Sequence, residues 1–256
     1  MTRTLILLAA CILLPRSAAC EAPSANPIEL INWMVLYYQA PDPDRFLEKV
    51  MAFSETGLLT EEKRQFTFLG FASTVFRDNP DRVEAWVRGM EKLPREHLKV
   101  VLLALWLSDT EQSKIVIRES KHRELLAGKN YFNFLTNESP PRLDSIDPLY
   151  IGFLDLQWGR FLASGSKVPI RLIVGTLELG DSRGPATGPD KTLSKKDKRK
   201  IIEEAILRAA LRSLRSNCRR HPLVRQHCLE ISREGRLSPK ASQRLSAILL
   251  ETEPKK

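Results

Sequence analysis

Arg208, Arg212, Arg215 and Arg219 recur at i, i+4, i+7 and i+11. On a helix turning about 100° per residue, that spacing lines four guanidinium groups along one face. Such a row suits the gripping of phosphate or carboxylate oxygens through charge-assisted, often bidentate hydrogen bonds. Lys195, Lys196, Lys198, Arg199 and Lys200 form a basic lead into the same helix. Lipid headgroups, lipopolysaccharide, nucleic acid or an acidic protein surface are the ligands this chemistry fits. The plainer reading is a solvated face opposite a buried one, aided by the preference of arginine for a helix C-terminus.

Cys218 and Cys228 lie ten residues apart across a His221-Pro222 turn between two helices. In an exported protein, two thiols so placed are expected to close a disulfide, restricting the unfolded chain by roughly 2–3 kcal/mol. Two separate buried cysteines are the alternative. His221 and His227 between them complete a set that zinc accepts, two thiolates and two imidazoles. However, the spacing fits no familiar module, and His227 and Cys228 are neighbours pointing about 100° apart on a helix. No metal site is therefore expected, and His221 reads as a residue opening a helix.

Other chemistry is harder to build. Gly184 to Thr192 has the look of a phosphate loop, but Pro189 and Asp190 interrupt the contiguous Gly-Lys-Ser/Thr that such a loop requires. There is no Gly-x-Ser-x-Gly, His-Glu-x-x-His or Cys-x-x-Cys. His97 and His122 stand among charged residues and read as solvated. No catalytic residue and no cofactor are assigned. An enzyme would need carboxylates converging in a cleft.

The charge is local. Of 40 basic and 31 acidic residues, 22 and 24 fall in 1–190, 12 and 3 in 191–225, and 6 and 4 thereafter. The net +9 therefore belongs to one segment. That distribution, with no interleaving of aromatic and basic residues, argues against nucleic acid as a partner.

Met1-Thr2-Arg3-Thr4, a ten-residue apolar run from Leu5 to Leu14, and the small residues Ser17 and Ala19 read as a secretory signal over 1–19. As a helix the run spans only ~15 Å, too short to cross a bilayer, and no later stretch is apolar enough. The expected location is periplasmic or secreted. Ser17-Ala18-Ala19-Cys20 also resembles a bacterial lipobox, although Ser17 stands where that pattern has leucine. The resemblance implies lipidation of Cys20 and anchoring to the envelope; plain cleavage after Ala19 is the alternative.

The elements that must position these residues are helices. Phe46, Val50 and Phe53; Phe66, Leu69, Ala72, Val75 and Phe76; Val83, Trp86, Val87 and Met90; and Leu98, Val101, Leu102, Leu105 and Trp106 each recur at spacings of three or four. A first helix is expected to bury Ile28, Ile31, Leu36 and Tyr37, with Trp33 and Met34 widening the face. The long basic helix, from about 194 to 217, is expected to bury Ile202, Ala205, Ile206, Ala209 and Leu214, with Leu207 and Leu211 alongside. Two shorter helices follow, at 223–234 and 238–251. Only Arg171 to Leu179 competes as a strand.

A Pro-Asp-Arg turn at Pro43–Arg45 returns 37 residues later at Pro80–Arg82, the mark of stacked helical hairpins. Leu156 to Gly165, with Trp158-Gly159 and a second apolar stretch from Val168 to Leu179, resembles a degenerate tetratricopeptide hairpin; Leu69-Gly70 onward does so more loosely. The glycines are one residue too close, Ile170 replaces a small residue, and the terminal proline is absent. The resemblance implies stacked helix pairs and a surface for proteins, with no ligand residues to transfer. The expected fold is all-α, an irregular antiparallel hairpin array over 20–180, a Gly/Pro loop at 181–194 and a basic helical cap at 195–256. The expected role is protein–protein interaction at a bacterial envelope, with an anionic-lipid or polyanion binder and an envelope enzyme as rivals.

Overall fold

The computed structural model describes residues 26–118, 135–180 and 194–254. The expected signal segment, Cys20, His122 and most of the Gly/Pro loop lie outside them. Among the described residues there are eleven α-helical segments of eight residues or more, a further helix ends at 137, and there is no strand. The chain runs through α1 (Pro27–Leu36), α2 (Phe46–Glu55), α3 (Glu62–Asp78), α4 (Val83–Met90), α5 (Arg95–Leu107) and α6 (Glu111–Arg118). It continues through α7 (Phe153–Ser164), α8 (Lys167–Gly175), α9 (Lys195–Arg220), α10 (Pro222–Arg233) and α11 (Pro239–Glu251).

Helix starts follow capping chemistry. Asn26 accepts a hydrogen bond from Ile28 N, Ser166 from Val168 N, Ser194 from Asp197 N and Ser238 from Ala241 N. Pro222 and Pro239 take first-turn positions in α10 and α11, where a missing N–H costs nothing. Both Pro-Asp-Arg segments form 3₁₀ turns leading directly into α2 and α4. The repeat is also a contact, because Arg82 of the second turn pairs with Asp44 of the first.

The expected cores of α2, α4 and α5 are buried throughout; in α3 all but the half-buried Phe66 are. Phe46 meets Phe76 edge-on at 5.3 Å and Trp86 at 4.8 Å between ring centroids, geometries aromatic rings favour. In α1 the expected face is partly right and partly displaced. Leu30, Met34 and Tyr37 are buried, whereas Ile28 and Leu36 are exposed. The spacing 30, 34, 37 keeps one stripe, and Trp33 and Tyr37 close it against Phe71. Tyr37, buried and facing Asp42 and Asp78, has its phenol pKa pushed up to about 12, burial being the larger cause.

The centre is the crossing of α3 and α7. A Cβ on Gly70 would fall 2.0 Å from the carbonyl oxygen of Leu156, and one on Gly159 would fall 2.0 Å from that of Thr67. Only glycine lets the two backbones meet, which is what Leu69-Gly70 and Trp158-Gly159 supply. Gly165, at φ 65°, ends α7 in the left-handed region. Arg171 to Leu179 is helical, as α8 and a 3₁₀ turn, so the strand alternative fails. The side chains Ile170, Ile173, Val174 and Leu177 of this segment are buried in the same cluster as Val224, Ile231, Leu245 and Ile248 of α10 and α11. One core runs from α1 to α11.

Candidate functional site

α9 is long because nothing interrupts it. Ser194 caps its start and bonds Asp197 reciprocally, and His221-Pro222 stops it. Its buried stripe is Leu207, Ala210, Leu214 and Cys218. This corrects the expected apolar face. Of Ile202, Ala205, Ile206, Ala209 and Leu214, only Leu214 is buried, and Ile202 is 45% exposed. The helix carries two apolar stripes roughly 130° apart, and only one of them meets the body. Sequence spacing sees both and cannot choose between them.

The second stripe lines a groove. Ile202, Ala205, Ile206 and Ala209 form one side; Tyr150, Ile151 and Leu154 form the other, around a hollow of about 310 Å³. Tyr150 and Ile151 are 56% and 83% exposed, so the apolar surface continues onto the rim. The wall is pinned from behind. Arg160, 7% exposed, donates to Asp144 at 2.6 Å and to Gln157 at 2.7 Å, and Gln157 donates to Leu143 O at 3.0 Å. At the rim, the apolar surroundings of Asp155 push its carboxyl pKa above the ordinary aspartate value.

The arginine stripe forms as expected but is unevenly engaged. Arg208 lies 3.7 Å from Glu204, and Arg215 reaches Glu251 of α11 at 2.7 Å. Arg212, Arg219 and Arg220 hold no ion pair among the described residues. With Arg215 and Ser216 they surround an open depression on the C-terminal half of the helix. Sequence reading passed over Ser216 and Arg220, although both lie on the line of the second apolar stripe. It also passed over the Tyr150–Leu154 wall, whose only signal is the apolar run Leu149-Tyr150-Ile151 following Asp147-Pro148.

The basic lead is separate. Lys195, Lys196, Lys198 and Arg199 are exposed, Lys200 is half-buried, and Arg199 pairs with Glu203 at 2.9 Å. Lys195 lies roughly 36 Å along the axis from Arg219, and consecutive positions point around the helix rather than down one side. The structure does not bring the two basic clusters together.

Cys218 and Cys228 are buried, unbonded thiols whose sulfurs are 3.8 Å apart. The two histidines turn elsewhere. His221 Nδ1 meets the Tyr38 hydroxyl at 3.1 Å, and His227 Nε2 donates to Gly165 O at 2.9 Å. Among the described residues no cluster of three or more His, Cys, Asp or Glu could hold a metal ion. His97, expected in solvent, is half-buried with Nδ1 2.5 Å from the Ser54 hydroxyl and Nε2 3.5 Å from that of Thr60, partners distant in sequence that spacing could not name. No described helix is long and apolar enough to cross a membrane. Comparison with family models, curated proteins and solved structures gives no match for this chain.

Proposed function

We propose that this chain is an exported, non-catalytic helical-array protein that binds an acidic protein segment along α9, at the envelope of a Gram-negative-type bacterium. One observation carries the reading: the apolar groove leads along one side of α9 to the unpaired Arg220, with the unpaired Arg212 and Arg219 flanking that line roughly 80–100° around the helix. Ile202 and Arg220 are about five turns apart, hence on the same side, some 27 Å from end to end. A partner helix laid there would place apolar side chains against Ile202, Ala205, Ile206 and Ala209, and carboxylates beside Arg212, Arg219 and Arg220. Apolar contacts in a hollow supply affinity, and the arginines supply register and steering. Its envelope location rests on the amino-terminal Arg3, Leu5–Leu14, Ala19 pattern.

A membrane-binding reading is favoured by the same arginines but less by the groove, since a bilayer meets protruding apolar residues rather than concave ones. The two are separated by photo-crosslinkers placed at Ile202, at Ser216 and, as a remote control, at Glu84, in envelope extracts. One protein adduct common to 202 and 216, absent at 84 and lost in an Arg212→Glu, Arg219→Glu double variant, supports a protein partner. Equal labelling at all three positions overturns it. Salt-sensitive binding to phosphatidylglycerol vesicles without a protein adduct would assign the helix to lipid. Intact mass of periplasmic and membrane fractions tests the rest: a chain starting at Cys20, acylated or not, fits export, and a cytoplasmic chain retaining Met1 excludes it.

A further inference from the structure

The α9–α10 hairpin holds a second kind of chemistry, unrelated to the groove. Cys218 sits two residues before the end of α9 and Cys228 lies midway along α10, with their sulfurs in contact at 3.8 Å. A bonded pair stands at about 2.05 Å, so closure requires an approach of about 1.8 Å. The two sulfurs differ in access. Cys228 is completely buried, whereas Cys218, 3% exposed, lines an open hollow of about 610 Å³ with Arg219, Arg225, Gln226, Glu251 and Glu253.

We propose that Cys218 and Cys228 form a redox-active dithiol, in which Cys218 attacks a small disulfide in the hollow and Cys228 resolves the mixed disulfide. The Cys218 thiolate attacks one sulfur of a small disulfide, breaking that S–S bond and releasing one thiol. Cys228 then attacks the Cys218 sulfur of the mixed disulfide, forming the Cys218–Cys228 bond and releasing the second thiol. Two protein thiols are oxidised, one external disulfide is reduced, and the two thiol protons leave on the released thiols. The order is fixed by burial. It is reinforced electrostatically: the hydrogen bond with Cys228, aided by the Arg225 charge, lowers the Cys218 thiol pKa against the opposing effect of burial, while that hydrogen bond and burial raise that of Cys228.

The product would clamp α9 to α10 one residue from Arg219, without using any groove residue. The test needs only the folded full-length protein and glutathione disulfide as oxidant. After quenching with iodoacetamide and digestion, a peptide cross-linked between Cys218 and Cys228 is the expected product. In Cys228→Ser, glutathione should remain on Cys218; in Cys218→Ser, Cys228 should stay unmodified until denaturant is added. Absence of the cross-link from folded wild-type protein overturns the proposal whatever the variants do. Faster modification of Cys228 in Cys218→Ser than of Cys218 in Cys228→Ser overturns the assigned order.

Discussion

At His221 a single buried imidazole ties the cap to the 3₁₀ turn that follows α1. Gln39 donates to the Tyr38 oxygen at 3.0 Å, which leaves the tyrosine proton to point at His221 Nδ1. The other ring nitrogen, Nε2, is buried without a partner. Burial, and secondarily the Arg220 charge, lower the His221 pKa below its ordinary value. The unfolded chain therefore binds this proton more readily, so stability falls as pH drops from about 6.5 through the folded pKa. Urea midpoints at pH 7.5 and 5.5 should show this loss, and His221→Asn, which can still accept from Tyr38, should remove most of the difference. An undiminished pH dependence in the variant would place its origin elsewhere. Arg160 gives a second prediction. Asp144→Ala leaves a guanidinium buried with one partner fewer, and should cost about 1–3 kcal/mol by denaturation. Asp144 is half-exposed, which keeps the figure below that of a sealed ion pair. Neither pairing was readable from spacing, because Asp144 lies sixteen residues from Arg160 and Tyr38 lies 183 from His221.

Helices declare themselves through period, but not through the direction in which they face. α2 and α4 each carry one buried apolar stripe, and for them spacing named the buried apolar residues; α5 is apolar from Val100 to Leu107, and spacing named only part of what it buries. α1 and α9 carry apolar residues on more than one side, and only neighbouring elements decide which side is covered. The Pro-Asp-Arg turns were legible because proline fixes φ locally; the ion pair between Arg82 and Asp44 was not. The α3–α7 crossing gives the clearest prediction at this scale. Gly70→Ala and Gly159→Ala would normally raise helix propensity by about 1 kcal/mol. Here each new methyl meets a backbone carbonyl that no rotamer can move aside. Each variant should lose about 1–3 kcal/mol or more in chemical denaturation. Gly175→Ala, with open space at its Cβ position, should be neutral or stabilising.

For the molecule as a whole, the basic cap is structurally part of the array. Arg171 pairs with Glu234, Lys167 with Glu230 at 3.0 Å, and Arg244 donates to Leu179 O at 2.9 Å, all across that boundary. A chain ending at residue 180 would expose the buried side of α8, including Ile170, Ile173 and Val174. It should lose cooperative unfolding and aggregate, as seen by circular dichroism and light scattering; a soluble, cooperative fragment would show the cap to be dispensable. Charge at this scale acts through salt. If α9 binds an acidic segment, affinity should fall as ionic strength rises, and fall less steeply in an Arg212→Glu, Arg219→Glu variant. Calorimetric titration with the crosslinked partner would measure both slopes.

The glycine crossing also sets a clock. Where two backbones touch, solvent cannot reach the peptide N–H groups between them unless the helices separate. Separation there means dissolving the centre of the core. Amide protons around Phe71 and Gly159 should therefore exchange with deuterium only when the whole protein opens, with protection equal to the global unfolding free energy. Those near Ile202, in the unpacked first half of α9, should exchange through local fraying, orders of magnitude sooner. The slowest and fastest amides of the described helices would then mark, respectively, what the fold keeps closed and the surface it leaves open to a partner.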